Sequence, residues 1–497
     1  MWENLVTWLI VSSTSCVALY SLGSYVPHVY IETIVIWILS IVYPIRDQWG
    51  HSVLGPKWAW PNGNIMSKFL DGRASSDTWI KFGSVYRVWA GGIPEIVITR
   101  PEDVRTFYSD SSHHEKAKSS NAGWLFDNIL GDCMGLINGK RWDRIHSEFL
   151  PSFKYQSIAE RISQEQDLAL EFVSRLSKQI TEDSNVVHSG DFARYPFFVT
   201  ADVIYGPMTD SEKERLWAIA QQSLGLMGYV LVGGIYRFRI ARWLRRSMYT
   251  GLAKFQEQWK LFNLEMYESR VNSKVQPPIV SAWAPTLSGE ISQNEVLHTL
   301  SEMLFANLDV TTHVLVSLII LLGEHEQVQQ EIYSGIKGTH STAENYCLSK
   351  ETVLHYSLLE AMRLRPFTAF SIPESSPSEK KLGGYLIPAN TSVIIDTFQI
   401  NVHNAFWGSN ASEFRPERFQ DLSKQELRYN LFMYGLGSRK CLGQHLAESM
   451  IKAVIYHLIC QFEIRIPSHS NYSTASEKTW VPVSQVDIIM NKRDKSG

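Results

Sequence analysis

A chain of 497 residues is long enough to bury a large core, and at roughly 100–200 residues per domain its length alone predicts about three domains. Hydrophobic residues at 44% and charged residues at 20% exclude disorder as a description of the whole chain, and 47 Lys+Arg against 50 Asp+Glu (net charge −3) leave no basic field to hold nucleic acid. The five cysteines, Cys16, Cys133, Cys347, Cys441 and Cys460, are odd in number, widely spaced and without a CxxC pair, which excludes a disulfide framework and a zinc ribbon and points to a reducing compartment.

The first element is an anchor. No charged side chain occurs between Glu3 and Glu32, and the apolar run from Leu5 to Val26 is long enough to cross a bilayer as a helix. A second, shorter run, Thr33 to Tyr43, reads as an interfacial piece or a second span. The acidic start (MWEN) and the lack of a small-residue cleavage site argue against a removed secretory signal. Arg46 and Lys57 after the runs place the remainder on the cytoplasmic side, and Pro44, Pro56 and Pro61 stiffen the linker. The organisation expected is an anchor over 1–45 and a catalytic domain over 46–497. Sequons at Asn390, Asn410 and Asn471 are then chance matches.

The soluble part is expected to be mainly α with small β-sheets (α+β). Val85 to Val97 predicts short strands around Gly91-Gly92, and Arg141 to Phe153 a helix opening near Lys140. Asp210 to Arg270 predicts several helices. Within it, Leu216 to Tyr236 is uncharged and precedes Arg237, Arg239, Arg242, Arg245 and Arg246, either a solvated basic helix or a surface that dips into anionic lipid. Ser292-x-x-Glu295 is a capping box that opens a helix, apolar nearly all round, reaching Leu322. His298, Glu302, Asp309 and His313 inside it favour a protein core over a membrane. Lys381 to Asp396 predicts a second strand group turning at Gly383-Gly384.

The segment Tyr434-Gly-Leu-Gly-Ser-Arg-Lys-Cys441-Leu-Gly443 carries the chemistry. Gly435 and Gly437 permit a tight turn and close approach to a bulky ligand. Cys441 precedes an apolar-periodic helix, whose free N–H groups and dipole favour a thiolate. Gly443 leaves room for a flat cofactor, and Arg439 can pair with a carboxylate on it. A lone buried Cys would more often be inert; this spacing argues otherwise.

This segment resembles the haem-binding loop of cytochrome P450 enzymes, Phe-x-x-Gly-x-Arg-x-Cys-x-Gly, matching at Gly437, Arg439, Cys441 and Gly443 and departing at Tyr434. Glu360-Ala-Met-Arg363 matches the family's Glu-x-x-Arg, and Pro416-Glu-Arg418-Phe419 supplies its second arginine. The resemblance implies that Glu360, Arg363 and Arg418 form a buried ion-pair network locking the cysteine loop. It implies a cytochrome P450 fold behind an N-terminal transmembrane helix, and haem b (iron-protoporphyrin IX) with Cys441 as axial thiolate. It also implies electrons from NADPH through a separate NADPH-cytochrome P450 reductase, and insertion of one atom of O2 into a small, largely apolar substrate. The setting implied is the endoplasmic reticulum membrane, with contact to lipid and the catalytic domain facing the cytosol. An anchored, unfused chain resembles fungal enzymes of secondary-metabolite biosynthesis.

Two departures stand out. The family's Trp-x-x-x-Arg, which binds a haem propionate, reads Trp142 to His146 here, so the partner's charge would vary with pH. The family's Ala/Gly-Gly-x-Asp/Glu-Thr-Thr beside the oxygen site reads Ala306-Asn307-Leu308-Asp309-Val310-Thr311-Thr312. Asp309 keeps the acid, but Val310 replaces the proton-handling Thr. Thr311, about 100° further round, replaces it only if the helix is bulged, and Asn307 is the alternative holder of a proton-relay water. Val310 also keeps open an enzyme that couples, dehydrogenates or rearranges its substrate, and a non-catalytic haem protein remains a third reading. Expected pocket positions are Phe305, Ala306, Val310, Phe367, Phe370, Ile372 and Trp480, under a lid at Gly131 to Gly139.

Overall fold

The computed structural model describes residues 28–47, 49–180, 185–338, 341–467, 473–474, 481 and 483–493. The predicted span at Leu5 to Val26, Cys16, Trp480 and the sequon at Asn471 lie outside the described residues. The second apolar run forms a helix, His28–Val42, of 15 residues. At about 1.5 Å per residue it is shorter than a bilayer core, as an interfacial piece requires.

The remaining elements follow the expected order. Strands Val85–Ala90 and Ile93–Ile98 pair antiparallel around Gly91-Gly92, from Val85 opposite Ile98 to Ala90 opposite Ile93. Ser392–Ile395 adds in parallel to the second of them, and Glu374–Ser375 and Glu115–Lys116 complete a five-stranded sheet. Lys380–Leu382 and Tyr385–Ile387 form the predicted hairpin, with Gly383 and Gly384 at φ of 54° and 88°, where a side chain would be strained. A separate three-stranded sheet joins Val186–His188, Asp487–Lys492 and Phe462–Arg465.

Helices fill the rest. The largest hydrophobic core draws side chains from Ala122 to Met490. Its axis is the stretch Gln293–Glu324, 32 residues long and apolar enough to cross a membrane by composition, but 67% buried in its most apolar part. The helix enters as predicted: Glu295 N–H donates to Ser292 Oγ (3.1 Å) and Ser292 N–H to Glu295 Oε2 (2.7 Å). It is not uniform. Glu302–Ala306 is a π-helical turn, after which Leu308–Glu324 is α-helical again.

Candidate functional site

The cysteine loop is held by its own backbone. Cys441 N–H donates to the Tyr434 carbonyl at 2.8 Å, closing the turn that the positive φ of Gly435 (74°) and Gly437 (71°) makes possible. A Cβ on Gly437 would meet Ser111 Cβ at 2.5 Å, so no other residue fits there without displacement. Gly443 is the N-cap of the helix Gln444–Gln461, and Cys441 lies two residues before it. The cysteine is densely surrounded by protein, yet part of its surface is accessible. Burial pushes its thiol pKa up; the Gly443 N–H, Lys440 and Lys116 oppose this, and Glu302 adds to it. The backbone donor at Gly443 and the burial around the sulfur thus act in opposite directions on the thiol. A bound cation would shift the balance, since metal ligation requires the deprotonated sulfur.

Behind the loop, Glu360 and Arg363 have no exposed side-chain surface. Arg363 donates from Nε to Glu360 Oε2 (2.6 Å) and from Nη2 to Oε1 (2.9 Å), a bidentate fork. Arg418 Nε (2.8 Å) and the Arg415 backbone N–H (3.0 Å) also donate to Glu360 Oε1. Arg363 Nη1 reaches the Asn401 carbonyl at 2.9 Å, and Asn401 in turn holds Phe432, just before the loop, through two hydrogen bonds of 2.7 and 2.9 Å. The motif residues thus lock the loop through Asn401, a residue the sequence motif does not mark. Tyr434 needs a partner that a Phe would not, and its hydroxyl finds Met362 Sδ at 3.4 Å.

Arg439, Trp142 and His146 form one stack. The Arg439 guanidinium lies 4.8 Å from the Trp142 ring, and the Trp142 and His146 rings stack at 4.3 Å with 20° between planes. Burial, and next the Arg439 charge, push the His146 pKa down, while Asp143 opposes them. Arg439 also donates to Asn138 Oδ1 (2.7 Å) and to the carbonyls of Met134 (3.1 Å) and Ile137 (3.0 Å).

Those carbonyls belong to the predicted lid, 131–139, which is tied down on both sides. Its N–H groups at Asp132, Met134 and Gly135 donate to His298 Nδ1 (3.0 Å), Thr299 Oγ1 (3.0 Å) and Glu302 Oε2 (2.9 Å) of the long helix. A Cβ on Gly135 would meet Glu302 Oε1 at 1.8 Å. His298 and Glu302 were legible only as polar interruptions of an apolar helix; their task is to accept the lid's backbone donors.

The π turn begins at Glu302. The Glu302 carbonyl accepts from Asn307 Nδ2 at 2.9 Å, so the amide that stands where the family has glycine braces the turn. The bulge that Thr311 requires is therefore present, but upstream of Asp309. One extra residue in a turn rotates all that follows by about 100° relative to what precedes. Thr311 is half-exposed on a mostly buried helix, whereas Thr312 is buried and spends its hydroxyl on the Leu308 carbonyl (2.7 Å).

A small, largely apolar cavity of about 10 Å³ lies along this helix, lined by Phe305, Ala306 and Asp309 with Leu130, Met227 and Val481 among the facing residues. Of the expected pocket positions Phe305 and Ala306 line it. Val310 does not, and Phe370 is buried in another cluster against Trp79, 5.6 Å away. Phe367 is half-buried and Ile372 exposed, outside this lining.

An accessible thiol in a glycine cradle, a flat stack carrying a cation beside it, and an apolar cavity along a broken helix fit a planar, anionic, iron-holding ligand: the fold and site define a haem-thiolate oxidoreductase. The Cytochrome P450 family pattern matches residues 55–489, and the chain belongs to that family. It is similar to the cytochrome P450 monooxygenase sirC of Leptosphaeria maculans, with 39% identity over 92% of each chain. It is 36% identical to the cytochrome P450 monooxygenase hasH of Aspergillus fumigatus, over 94% of this chain and 90% of that one. A third relative, the cytochrome P450 monooxygenase gliC of Aspergillus fumigatus, is 34% identical over 91% and 94%. The protein is thus a haem-dependent monooxygenase. It uses haem with cysteine thiolate ligation, takes electrons from a redox partner and acts on a small molecule. The readings as a coupling or rearranging enzyme, or as a non-catalytic haem protein, are not favoured. Fungal members are typically membrane-bound, and the apolar segment Glu32–Val42 fits attachment of that kind.

Proposed function

We propose that Cys441 is the axial thiolate ligand of haem b in an enzyme of fungal secondary-metabolite biosynthesis. The observation that carries this is an accessible thiol held by the Tyr434 carbonyl turn, with Gly443 and its helix N-terminus directly behind. Gly443 leaves the cradle open and Gly437 lets the loop pack against Ser111, while Arg439, Trp142 and His146 hold the carboxylate edge of the macrocycle. Bound haem supplies the redox chemistry by which one atom of O2 enters the substrate. The chain's own part is to position substrate, exclude water and move protons. Asp309 and Thr311 carry that proton traffic, on the downstream side of the π turn. Glu360, Arg363 and Arg418 keep the loop in register.

The electrons come from NADPH through a separate NADPH-cytochrome P450 reductase. The division into an anchor (1–45) and a catalytic domain (46–497), seated on the endoplasmic reticulum and facing the cytosol, completes the reading. Two exposed apolar faces support contact with lipid: Ile34, Trp37 and Ile41 on one, Ile240, Trp243 and Leu244 on the other. Residues 60–62 bridge them. Trp60 N–H donates to Glu32 Oε1 (3.1 Å), Asn62 Nδ2 to the Val232 carbonyl (3.1 Å), and Gly234 N–H to Asn62 Oδ1 (3.0 Å). Arg239, Arg245 and Arg246 are exposed beside the second face, where they suit anionic headgroups. Arg237 does not join them, because it packs against Gly91 and Gly123.

The test is spectroscopic. Purified protein, reduced and treated with carbon monoxide, gives a thiolate-type Soret band, and Cys441→Ser abolishes both that band and NADPH-supported oxygenation. A variant that keeps the band would remove Cys441 from its role.

A further inference from the structure

His114 sits between two carboxylates with both ring nitrogens engaged. Its Nε2 lies 2.9 Å from Asp110 Oδ1 and its Nδ1 3.4 Å from Glu374 Oε2, and the side chain has no exposed surface. A neutral imidazole carries one N–H, so it leaves one carboxylate facing a lone pair; the imidazolium donates to both. The Phe107 and Tyr108 rings close it in, at centroid distances of 4.5 and 5.2 Å. The arrangement is a binding site for one proton inside the protein.

The groups around it form a chain with two ends. Inward, Lys116 stands opposite Glu374 across paired strands and donates to Glu374 Oε1 at 2.8 Å. Asn138 ties Lys116 to the cofactor edge: its Oδ1 accepts the Lys116 backbone N–H (2.9 Å) and the Arg439 guanidinium (2.7 Å). The Lys116 charge acts on the Cys441 thiol, and the Glu374 charge on Arg439. Outward, Lys380 Nζ reaches Asp110 Oδ1 at 2.8 Å, and Ser376 and Ser378 donate to Oδ2 at 2.9 and 2.7 Å. Asp110 is half-buried, so this end meets solvent. Against the effect of burial, Lys116 and His114 hold Glu374 below the ordinary carboxylate range, and Lys380 and Ser378 do the same for Asp110. Burial keeps the Tyr108 hydroxyl beside Glu374 neutral. The two lysines balance the two carboxylates, so a proton on His114 is one uncompensated positive charge.

We propose that His114 is a positioning residue for the electron-transfer step: acting through Glu374 and Lys116, it takes up a solvent proton by way of Asp110 as the haem gains an electron. This rests on the haem-monooxygenase reading. One electron comes from the redox partner and lowers the charge at iron by one unit. One proton comes from water and joins the His114 ring to give imidazolium, and no other bond forms or breaks. A lower charge at iron repels the imidazolium less, so each event favours the other by the same factor. The sign follows: the iron reduces most readily where His114 carries its proton, and the potential falls as pH rises.

The experiment is a spectroscopic redox titration of the haem-loaded, full-length enzyme without substrate, repeated between about pH 5 and 8, the range in which histidine ordinarily changes charge. In wild type the reduction equilibrium is expected to change about fivefold between the two ends, about 40 mV at about 59 mV per tenfold for a one-electron couple. His114→Gln keeps a hydrogen-bonding side chain that binds no proton, and its potential is expected to stay level across the range. Asp110→Asn, at the solvent end, removes one charge that favours the imidazolium, so the transition moves to lower pH. A merely structural histidine would give neither result. A pH-independent potential in wild type, a wild-type pH dependence in His114→Gln, or an unmoved transition in Asp110→Asn overturns the proposal. A pH dependence lost in His146→Gln instead of His114→Gln also overturns it, since the proton then belongs to the stack beside Arg439. Absence of the reduced carbon monoxide band in wild type counts against the haem-thiolate reading itself.

Discussion

The two sides of the site are built on opposite principles. Behind the cysteine, Glu360 accepts four hydrogen bonds from Arg363, Arg415 and Arg418, and little hydrogen-bonding capacity is left over. Along the cavity, the long helix is interrupted by a π turn that a side chain braces, and a buried hydroxyl has no partner among the described residues. A saturated network can take only one arrangement, which suits a loop that must hold a metal ligand in place. An unsaturated wall keeps groups available for a substrate and for protons. Fixity and chemistry are thus divided between two elements of one site.

The saturated side gives the largest expected effect. Arg363→Ala leaves Glu360 buried with much of its compensation removed, a loss on the order of 3–5 kcal/mol. The expected outcome is little soluble protein, and in what remains a Soret band at the position of a denatured, thiol-ligated form. Arg363→Lys restores a charge but not the fork, so it recovers folding only in part. If Arg363→Ala expresses with a wild-type band and melting temperature, the lock does not act as one.

On the open side the same kind of change leaves the fold alone and costs rate. Asp309→Asn is expected to lower turnover on the order of 100-fold, the usual yield of positioned proton transfer, with haem content and Soret position unchanged. Thr311→Val gives a smaller loss in the same direction and releases more reduced oxygen per electron consumed. Wild-type turnover in both variants would detach these residues from proton delivery. Loss of haem in Asp309→Asn would erase the contrast between the two sides.

How legible each side is in the sequence follows from the same division. Glu360, Arg363, Arg418 and Cys441 stand in fixed spacings because a saturated network tolerates no substitution, so a motif recovers them. Asn401 is equally committed but sits far along the chain from its partners, and no local pattern marks it. The strands turning at Gly91-Gly92 and Gly383-Gly384 and the capping box at Ser292 were legible because their causes are local. The tie between the lid and the long helix was not, since it joins backbone N–H groups to acceptors more than 160 residues away. Phe370 was misplaced because periodicity says that an aromatic is buried, not which cavity or core receives it. The helix terminus behind Cys441 was legible, but the burial that pushes its thiol up is a property of the packed fold.

Asn307 gives the smallest effect and the finest test of the contrast, because it belongs to both sides. Its amide donates to the Glu302 carbonyl at 2.9 Å, so it stabilises the bulge; yet the residue is exposed on a mostly buried helix, so it is also open to hold a proton-relay water. As a brace alone, Asn307→Ala loses one hydrogen bond, about 0.5–1.5 kcal/mol, and alanine's better helix propensity offsets part of that. The melting temperature then falls slightly while the oxygenated product formed per NADPH stays as in wild type. As a proton-handling group, the same variant keeps its stability and loses product per NADPH. The geometry predicts both shifts in small measure, since one donor proton serves the carbonyl and the second remains for a water. Asn307→Asp separates them: it cannot donate to Glu302 but still orients water, so it should lose stability more than coupling. Coupling that falls further than stability would mean that the amide's free proton, rather than the brace, is why asparagine stands there.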